Sequence, residues 1–438
     1  MLSAFGRAFR TPDLRKKILF TLAIMGLFRL GSVLPAPGVN YQAVHSCISA
    51  TKNNSIFGLV NLFSGGALLQ LSVFALGIMP YITSSIIIQL LVVVIPRLER
   101  LKEQGQGGQA KLTQYTRYLT IALAILQSTG IVALARGTSP RLFGGACNHS
   151  ILYSESVFRI TVMVVVMTAG TAVIMWLGEL ITDRGIGNGM SLLIFTSIAS
   201  RFPSQGSQIL QTKGATTFTI VLILGLMIIA AIVFMEQGQR RIPVQYAKRM
   251  IGRRMYGGTS TYIPLKVNQA GVIPVIFSSS LLYLPQLLAQ IWSSNHGLNN
   301  FIAKYLVRTD SWTYILTYAA LTIFFTYFYV AITFNPVEVS DNMRKYGGFI
   351  PGIRPGRPTA EYLEYVLSRI TLPGALYLTV VAILPIIALA FLPGGSVGQN
   401  QTFPFGGTSV LILVGVGLDT SKQIESQLML RNYEGFLR

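Results

Sequence analysis

Long apolar stretches recur along this chain, and most are long enough to cross a lipid bilayer. A bilayer core about 30 Å thick needs roughly 20 residues of apolar helix. Windows that meet this test lie near residues 18–34, 71–95, 116–135, 160–178, 215–235, 272–291, 313–334 and 371–392. With 51% hydrophobic and 11% charged residues, the chain has more apolar surface than a soluble core can bury. The sequence therefore predicts an all-α, polytopic membrane protein.

Two weaker windows, 187–200 and 406–418, are short and interrupted by glycine. Without them the polar loops on either side could not alternate between the two faces of the membrane. We count them as spans 5 and 10 of ten transmembrane helices. An even number of spans places both termini on the same side.

The loop charges give the orientation. The chain has 35 lysines and arginines against 15 acidic residues, a net charge of +20. Most of the basic residues fall in the two tails and in the loops that follow even-numbered spans. Because cytoplasmic loops carry an excess of lysine and arginine, we expect both termini to be cytoplasmic.

The irregular spans are related by a fixed offset. Spans 2 and 7 each contain a proline, Pro80 and Pro274, and spans 5 and 10 are the glycine-broken ones. An offset of five, which is odd, predicts two five-helix halves that are inverted relative to each other. Broken helices are tolerated where they face protein or a water-filled cavity, so these four spans are expected to line a pathway between the halves. Ordinary kinks in a packed bundle are the alternative.

This organisation divides the chain into five parts. They are an N-terminal tail 1–17, an N-terminal half 18–200, an outer hinge loop 201–214, a C-terminal half 215–418 and a C-terminal tail 419–438.

The chain lacks the residues that membrane enzymes and ion-coupled transporters use. Every carboxylate lies in a loop or at the end of a span, and the three histidines fall in outer loops. Coupled transporters place ionisable groups near the midplane, and a nucleotide site of the phosphate-loop kind needs a Gly-Lys-Ser/Thr motif, which is missing. We expect no enzyme activity, metal or cofactor. A secondary solute transporter with inverted repeats stays as the alternative function.

Two predicted cytoplasmic loops look suited to docking. Loop 236–268 carries, among its residues, Tyr246 and Tyr256 and the bases Arg240, Arg241, Lys248, Arg249, Arg253 and Arg254. Loop 335–370 presents Arg354 and Arg357 among prolines and glycines, which fix the backbone and supply turns. Such surfaces fit RNA phosphates or an acidic protein. The alternative is charge that serves topology alone.

The sequence leaves open the structure or role of three smaller features. Segment 56–69 is apolar but too short to span, and it predicts either a re-entrant half-helix on the outer side or a loop helix resting on the bundle. Arg29 is the basic residue within a span, near enough to its end to snorkel outward in a structural role. Cys47 and Cys147 fall in outer loops, where an oxidising environment could join them, and the sequence does not decide whether it does.

Five motifs carry a resemblance to a known family. They read NLFSGGA at 61–67, GIMPYI at 77–82, DRGIGNG at 183–189, QRR at 239–241 and GIRPG at 352–356. In these motifs, and nearly from end to end, the chain resembles the SecY family of protein-conducting channels. The resemblance implies a clamshell of ten helices that translocates unfolded preproteins across the cell inner membrane and inserts membrane proteins sideways into it.

The resemblance also implies the site. Segment 56–69, with Asn61, Phe63, Ser64, Gly65 and Gly66, would be a plug on the outer side. A ring of apolar side chains would close the pore, comprising Ile78, Ile82, Met190, Ile194, Ile276 and Ile412, although Met190 departs from the branched aliphatic residue usual there. Spans 2 and 3 would face spans 7 and 8 across a lateral gate.

The partners follow from the same resemblance. SecE and SecG would accompany the chain, and the SecA ATPase or the ribosome, through its RNA phosphates, would dock on loops 236–268 and 335–370. Preprotein signal sequences and membrane lipids would contact the gate. SecDF and YidC are further candidate partners.

Overall fold

Ten helices lie at the positions of the ten predicted spans. A computed structural model describes residues 9, 11–50, 64–136, 150–246, 249–251, 254–256, 260–291, 311–391 and 407–434. Its helices for spans 1 to 10 are Pro12–Val33, Met79–Val94, Gln106–Ala135, Val157–Arg184, Gly189–Ala199, Phe202–Gln237, Ile273–Ile291, Trp312–Thr333, Arg357–Phe391 and Gly407–Glu434. Shorter helices are Tyr41–Ala50, Pro96–Glu103 and Pro336–Lys345. The predicted helical architecture is confirmed.

The surface of the bundle suits a membrane. Among the described residues, five helices are long and apolar enough to cross a bilayer, or six if the bent pair Met79–Val94 and Pro96–Glu103 is one span. Large apolar side chains such as Met227, Leu316 and Val380 point outward and are exposed. Exposed apolar area of this extent marks a surface that another apolar phase covers.

The two halves repeat one packing pattern. Span 2 packs on span 3 and span 3 on span 4, just as span 7 packs on span 8 and span 8 on span 9. Span 1 packs on span 5 in the first half, and span 6 packs on span 10 in the second. The halves meet where span 5 contacts span 10 and where span 7 contacts spans 2 and 3. The four irregular spans therefore lie at this interface.

Span 2 begins later than its apolar window predicts. Residues 64–78 form successive turns, and the helix starts only at Met79. The backbone angle φ is +46° at Leu71 and +57° at Gly77, which a helix cannot contain. The peptide groups pair with the chain after span 1 instead: Ala36 N donates to Leu71 O at 3.0 Å, and Val73 N donates to Leu34 O at 2.9 Å. Apolar composition alone did not reveal this break.

The expected hinge loop 201–214 is mostly helical. The span 5 helix ends at Ala199, and the next helix already begins at Phe202. Pro203 lies in its first turn, where proline costs no hydrogen bond. The one break falls at Gly214, with φ 83° and ψ 171°, a conformation that glycine adopts without a side-chain clash.

The two predicted docking loops share a small three-stranded sheet, and the first loop also forms a separate two-stranded one; the sequence revealed neither. Strand β1 (Gln239–Tyr246) pairs antiparallel with β4 (Ser260–Lys266), while β2 (Arg249–Ile251) pairs with β3 (Arg254–Tyr256). Strand β5 (Gly348–Phe349), from the other loop, adds to β1. Ile242, Val244 and Leu265 of this sheet pack in a buried cluster with Met343, Leu363 and Val366. We call β1, β4, β5, the helix Pro336–Lys345 and the turn at residues 352–357 the platform.

We predict that Asn188 is needed to hold the short span 5 helix. Its Oδ1 accepts hydrogen bonds from Met190 N at 3.1 Å and Ser191 N at 3.3 Å. Asn188→Ala should cost about 1 kcal/mol and lower the thermal unfolding midpoint of the purified protein, followed by size-exclusion chromatography after heating. Asn188→Asp, which keeps the cap, should retain the wild-type midpoint. Equal midpoints for both variants would contradict this role.

Candidate functional site

The six residues predicted to form a ring lie in one apolar cluster. Ile78 and Ile82 of span 2, Ile194 of span 5, Ile276 of span 7 and Ile412 of span 10 are all buried, and Met190 is partly buried and packs against them. We call these six residues the ring cluster. Two come from each of spans 2 and 5, and one from each of spans 7 and 10, so both halves contribute to it.

The local backbone sets the direction in which Ile78 and Ile82 of span 2 point. Ile78 caps the helix that begins at Met79, and Ile82 N donates to Ile78 O at 3.1 Å. Residues four apart share a helix face, so both side chains point to the same side. The left-handed φ of Gly77 ends the preceding turns and sets where this face begins. The motif GIMPYI thus combines a glycine with left-handed φ, a proline in the first turn of the helix and two isoleucines four residues apart.

Close packing of spans 4 and 5 positions Met190. A Cβ added to Gly189 would overlap the carbonyl oxygen of Gly178, and one added to Gly178 would lie 2.5 Å from Met190 Sδ. Neither glycine can therefore carry a side chain without moving a neighbour. The two helices approach as closely as their backbones allow, and Met190 fills the space over Gly178.

Part of the predicted plug is described. Asn61 and Phe63 lie outside the described residues. Ser64, Gly65 and Gly66 form a turn, in which Leu68 N donates to Ser64 Oγ at 3.2 Å and both glycines have positive φ. A Cβ on Gly65 would lie 3.2 Å from Ser197 Cα, so this 64–66 turn rests on the end of span 5.

One arginine binds the 64–66 turn and a second lies beside it. Arg29 Nη1 donates to Gly65 O at 2.8 Å, so its role involves more than the outward snorkelling that its sequence position suggested. Arg201 Nε and Nη2 lie 3.8 and 3.9 Å from where a Cβ of Gly66 would be. Burial, with a further contribution from the Arg29 charge, lowers the pKa of the Arg201 guanidinium to about 10. Arg201 had no sequence signal, since it resembles any basic residue of a loop.

The platform exposes several predicted docking residues. Arg240 and Arg241 on β1 are exposed, and the Arg241 guanidinium stacks 4.8 Å from the centre of the Tyr262 ring. Lys248 and Arg253 lie outside the described residues. Arg249 pairs with Tyr256, and Arg254 with Ile251, in the β2–β3 ladder.

The turn that carries Arg354 has a fixed shape. Gly352 and Gly356 have φ of 83° and 106°. Thr359 Oγ1 donates to Arg354 O at 2.8 Å, and the buried Ser340 Oγ donates to Gly356 O at 2.7 Å. The Arg354 side chain is exposed on this turn. Arg357 is exposed too, with Nε 3.1 Å from Glu361 Oε1.

A polar contact at the base of the platform was not predicted. Asn268 Nδ2 donates to Glu236 Oε1 at the end of span 6 and to Gly271 O at 3.2 Å. Nearby, Lys266 Nζ lies 3.7 Å from Asp419 Oδ1 of the span 10 helix. Since Asn268 and Gly271 belong to the connection into span 7, these contacts join the platform to spans 6, 7 and 10.

One of the two cysteines lies in the described part of the chain. Cys47 is buried and disulfide-bonded, and Cys147 lies outside the described residues.

Comparisons with known proteins agree on one family. The SecY family model matches residues 72–421. The protein translocase subunit SecY of Streptomyces scabiei is 65% identical over 444 residues, covering 100% of both chains.

Solved structures share the fold at low identity. A SecY structure, described in terms of a plug domain that stabilises the closed state and maintains a membrane seal, matches with a TM-score of 0.64 at 16% identity, over 94% of this chain and 91% of that one. Sec61 in the canine ribosome–channel complex matches with a TM-score of 0.59 at 17% identity, with the same coverages.

We predict that Gly65 is needed at the 64–66 turn. Gly65→Ala places a Cβ at φ +67° and 3.2 Å from Ser197 Cα, and left-handed backbone costs about 1–2 kcal/mol for a residue with a Cβ. The variant should unfold at a lower temperature than wild type. Gly417→Ala, whose Cβ would meet nothing within 4 Å, is the control and should keep the wild-type midpoint. A Gly65→Ala protein as stable as this control would show that the turn tolerates the side chain.

Proposed function

Since the chain belongs to the SecY family, we propose that it is the pore-forming subunit of a protein translocase, which passes unfolded preproteins across the membrane. The observation that carries the proposal is the ring cluster, in which four helices from both halves bring apolar side chains together. The comparisons give no support to the alternative, a secondary solute transporter.

The ring cluster acts as the pore constriction. Apolar side chains around a narrow waist exclude ions because water leaves such a constriction. The isoleucines make no directional bonds, so they can separate around a polypeptide of almost any sequence and close again behind it. Shape, rather than a binding code, admits the substrate.

The 56–69 segment acts as the plug. The described 64–66 turn supports this, because it packs on the end of span 5, only three residues beyond Ile194 of the ring cluster. A plug there blocks the outer side of the constriction, and displacing it opens the pathway. Asn61 and Phe63 would move with it.

Spans 2 and 3 facing spans 7 and 8 act as the lateral gate. Span 7 supplies the described contacts to spans 2 and 3, while spans 5 and 10 contact each other. Opening this seam exposes an apolar segment in the pore to lipid, into which it can partition. Membrane proteins and signal sequences would leave the pore by this route.

The platform acts as the docking surface for a ribosome or for the SecA ATPase. Exposed Arg240, Arg241, Arg354 and Arg357 suit phosphate or acidic partners, and one structural relative is the channel of a ribosome complex. SecE and SecG would complete the assembly. We place the chain in the cell inner membrane with both termini cytoplasmic, because the platform and the basic tails then share one side.

The first test concerns the constriction. Ile412 is 1% exposed. Ile412→Asn places a polar side chain in the constriction, so water can remain there, and the channel in proteoliposomes should leak ions in the absence of substrate. Ile220→Asn, at an outward-facing position of span 6, is the control and should stay sealed.

Crosslinking tests the same constriction. A photoreactive residue at position 82 should label a preprotein stalled in transit. Labelling at position 220 but not at 82 would exclude the ring cluster as the pathway.

The second test concerns docking. Arg354→Glu reverses the charge on the fixed turn and should weaken SecA or ribosome binding at least tenfold, measured by co-sedimentation with proteoliposomes at several salt concentrations. Charge reversal at a phosphate contact should also reduce the salt dependence of binding. Arg97→Glu, an exposed base in another predicted cytoplasmic loop, is the matched control. Equal losses for both variants would mean that only net charge matters.

A further inference from the structure

Asn268 lies where the connection from the platform enters span 7. Its side chain is 3% exposed, and its Nδ2 donates to Glu236 Oε1 at the end of span 6 and to Gly271 O at 3.2 Å. We propose that Asn268 is a positioning residue for the constriction, because it fixes the first turn of span 7, and with it Ile276 of the ring cluster, against the end of span 6. The inference rests on the proposed role of the ring cluster as the constriction.

The Asn268 amide holds the residue after which span 7 becomes helical. Gly271 has φ +61°, a left-handed conformation suited to glycine. Helical bonding follows directly, since Ile276 N donates to Val272 O at 3.3 Å. The carbonyl that Asn268 binds is therefore next to the acceptor of the bond that places Ile276 in its helical turn.

The same turn packs on span 10, the second helix of this half that supplies a ring residue. Val272 Cγ1 lies 3.2 Å from where a Cβ of Gly415 would be, so little space separates the first turn of span 7 from span 10. Gly415 and Ile412 are three residues apart and share a helix face. Val272 packs against the same apolar cluster as Ile276 and Ile412. A shift of this turn would therefore change how both ring residues of the C-terminal half pack.

The chain on the other side of Asn268 is held by its backbone. Val267 N donates to Gly238 O at 2.9 Å, at the base of β1 and β4. A Cβ added to Gly374 of span 9 would overlap the carbonyl oxygen of Val267, so span 9 and this connection lie in close backbone contact. With Val267 held from both directions, the bonds of Asn268 set how the following residues lead into span 7.

Burial gives the bonds of Asn268 their importance. Its Oδ1 is buried and has no hydrogen-bond partner among the described residues, and burying an unpaired amide oxygen costs free energy. The two bonds of Nδ2 offset this cost, and the bond to the Glu236 carboxylate is the stronger of them. An apolar side chain at this position would avoid the cost but could not join the end of span 6 to Gly271.

An exchange of donor and acceptor tests the inference in proteoliposomes containing the chain with its partner subunits. Asn268→Asp removes the donor and places a second carboxylate beside Glu236. The substrate-free ion leak should rise about tenfold, the effect of losing one hydrogen bond to a charged group. Adding Glu236→Gln restores a bond, now donated from position 236 to position 268, and should bring the leak back toward that of wild type. Glu236→Gln alone keeps an accepting oxygen and should leak less than Asn268→Asp.

Asn342→Asp is the matched control. It makes the same chemical change at an exposed position of the platform helix Pro336–Lys345, and its leak should equal that of wild type. If Asn268→Asp does not fold, Glu236→Ala, which removes the acceptor instead of the donor, is measured in its place and should leak as much.

Crosslinking reports the position of Ile276 itself. A photoreactive residue at position 276 should label a stalled preprotein less in the Asn268→Asp background than in wild type. Labelling from position 82, on the other half, should stay the same. A general loss of structure would lower both signals, so a loss confined to position 276 identifies a positioning role.

The outcomes separate this inference from the proposed function. If Ile412→Asn leaks but Asn268→Asp is as tight as wild type, or if the double variant leaks as much as Asn268→Asp, the inference alone is overturned. If neither Ile412→Asn nor Asn268→Asp leaks, and wild-type labelling from positions 82 and 276 is absent, the proposed constriction is wrong and the inference falls with it.

Discussion

The apolar contact between the two halves is the interaction on which the rest of this structure depends. Each half is tied internally by polar bonds, such as the paired Arg117–Glu179 contacts at 2.8 Å between spans 3 and 4 and the Thr322–Ser278 contact at 3.3 Å between spans 8 and 7. The ring cluster is made of apolar side chains. Separating such side chains leaves no unpaired donor or acceptor, whereas separating the polar contacts within each half would.

The backbone next to this contact is irregular, yet its peptide groups are hydrogen-bonded. Residues 64–78 fold into turns whose peptide groups bond to the chain after span 1, so they stay paired where little water is available. This segment leads from the 64–66 turn to Ile78, and it therefore connects the proposed plug to the proposed constriction. In the other half, Asn268 connects the platform to the start of span 7, the span that carries Ile276 of the ring cluster. Hydrogen-bonded connecting segments therefore lead into the ring cluster from both halves.

Particular residues illustrate how far sequence reasoning reached. The positions of Pro80 and Pro274, with the two glycine-broken spans, predicted that spans 2, 5, 7 and 10 lie together. A structural repeat places the same kind of helix interruption at equivalent spans of both halves. The family motifs supplied the six ring positions. The sheet that joins loops 236–268 and 335–370 was not predicted, since β5 has only two residues, Gly348 and Phe349, and strand periodicity needs more. The position of Arg201 beside the 64–66 turn was not predicted either, because nothing in its neighbours along the chain indicates it.

The sequence by itself determined that the chain forms ten membrane helices in two related halves, with basic loops at one end, since length, hydropathy and charge act locally and add along the chain. Tertiary structure alone decided where span 2 becomes helical, that two distant loops share one sheet, and that Arg29 and Arg201 meet at one turn. These features depend on partners far apart in the sequence. Their energies come from burial and hydrogen bonding, which exist only once the chain has packed.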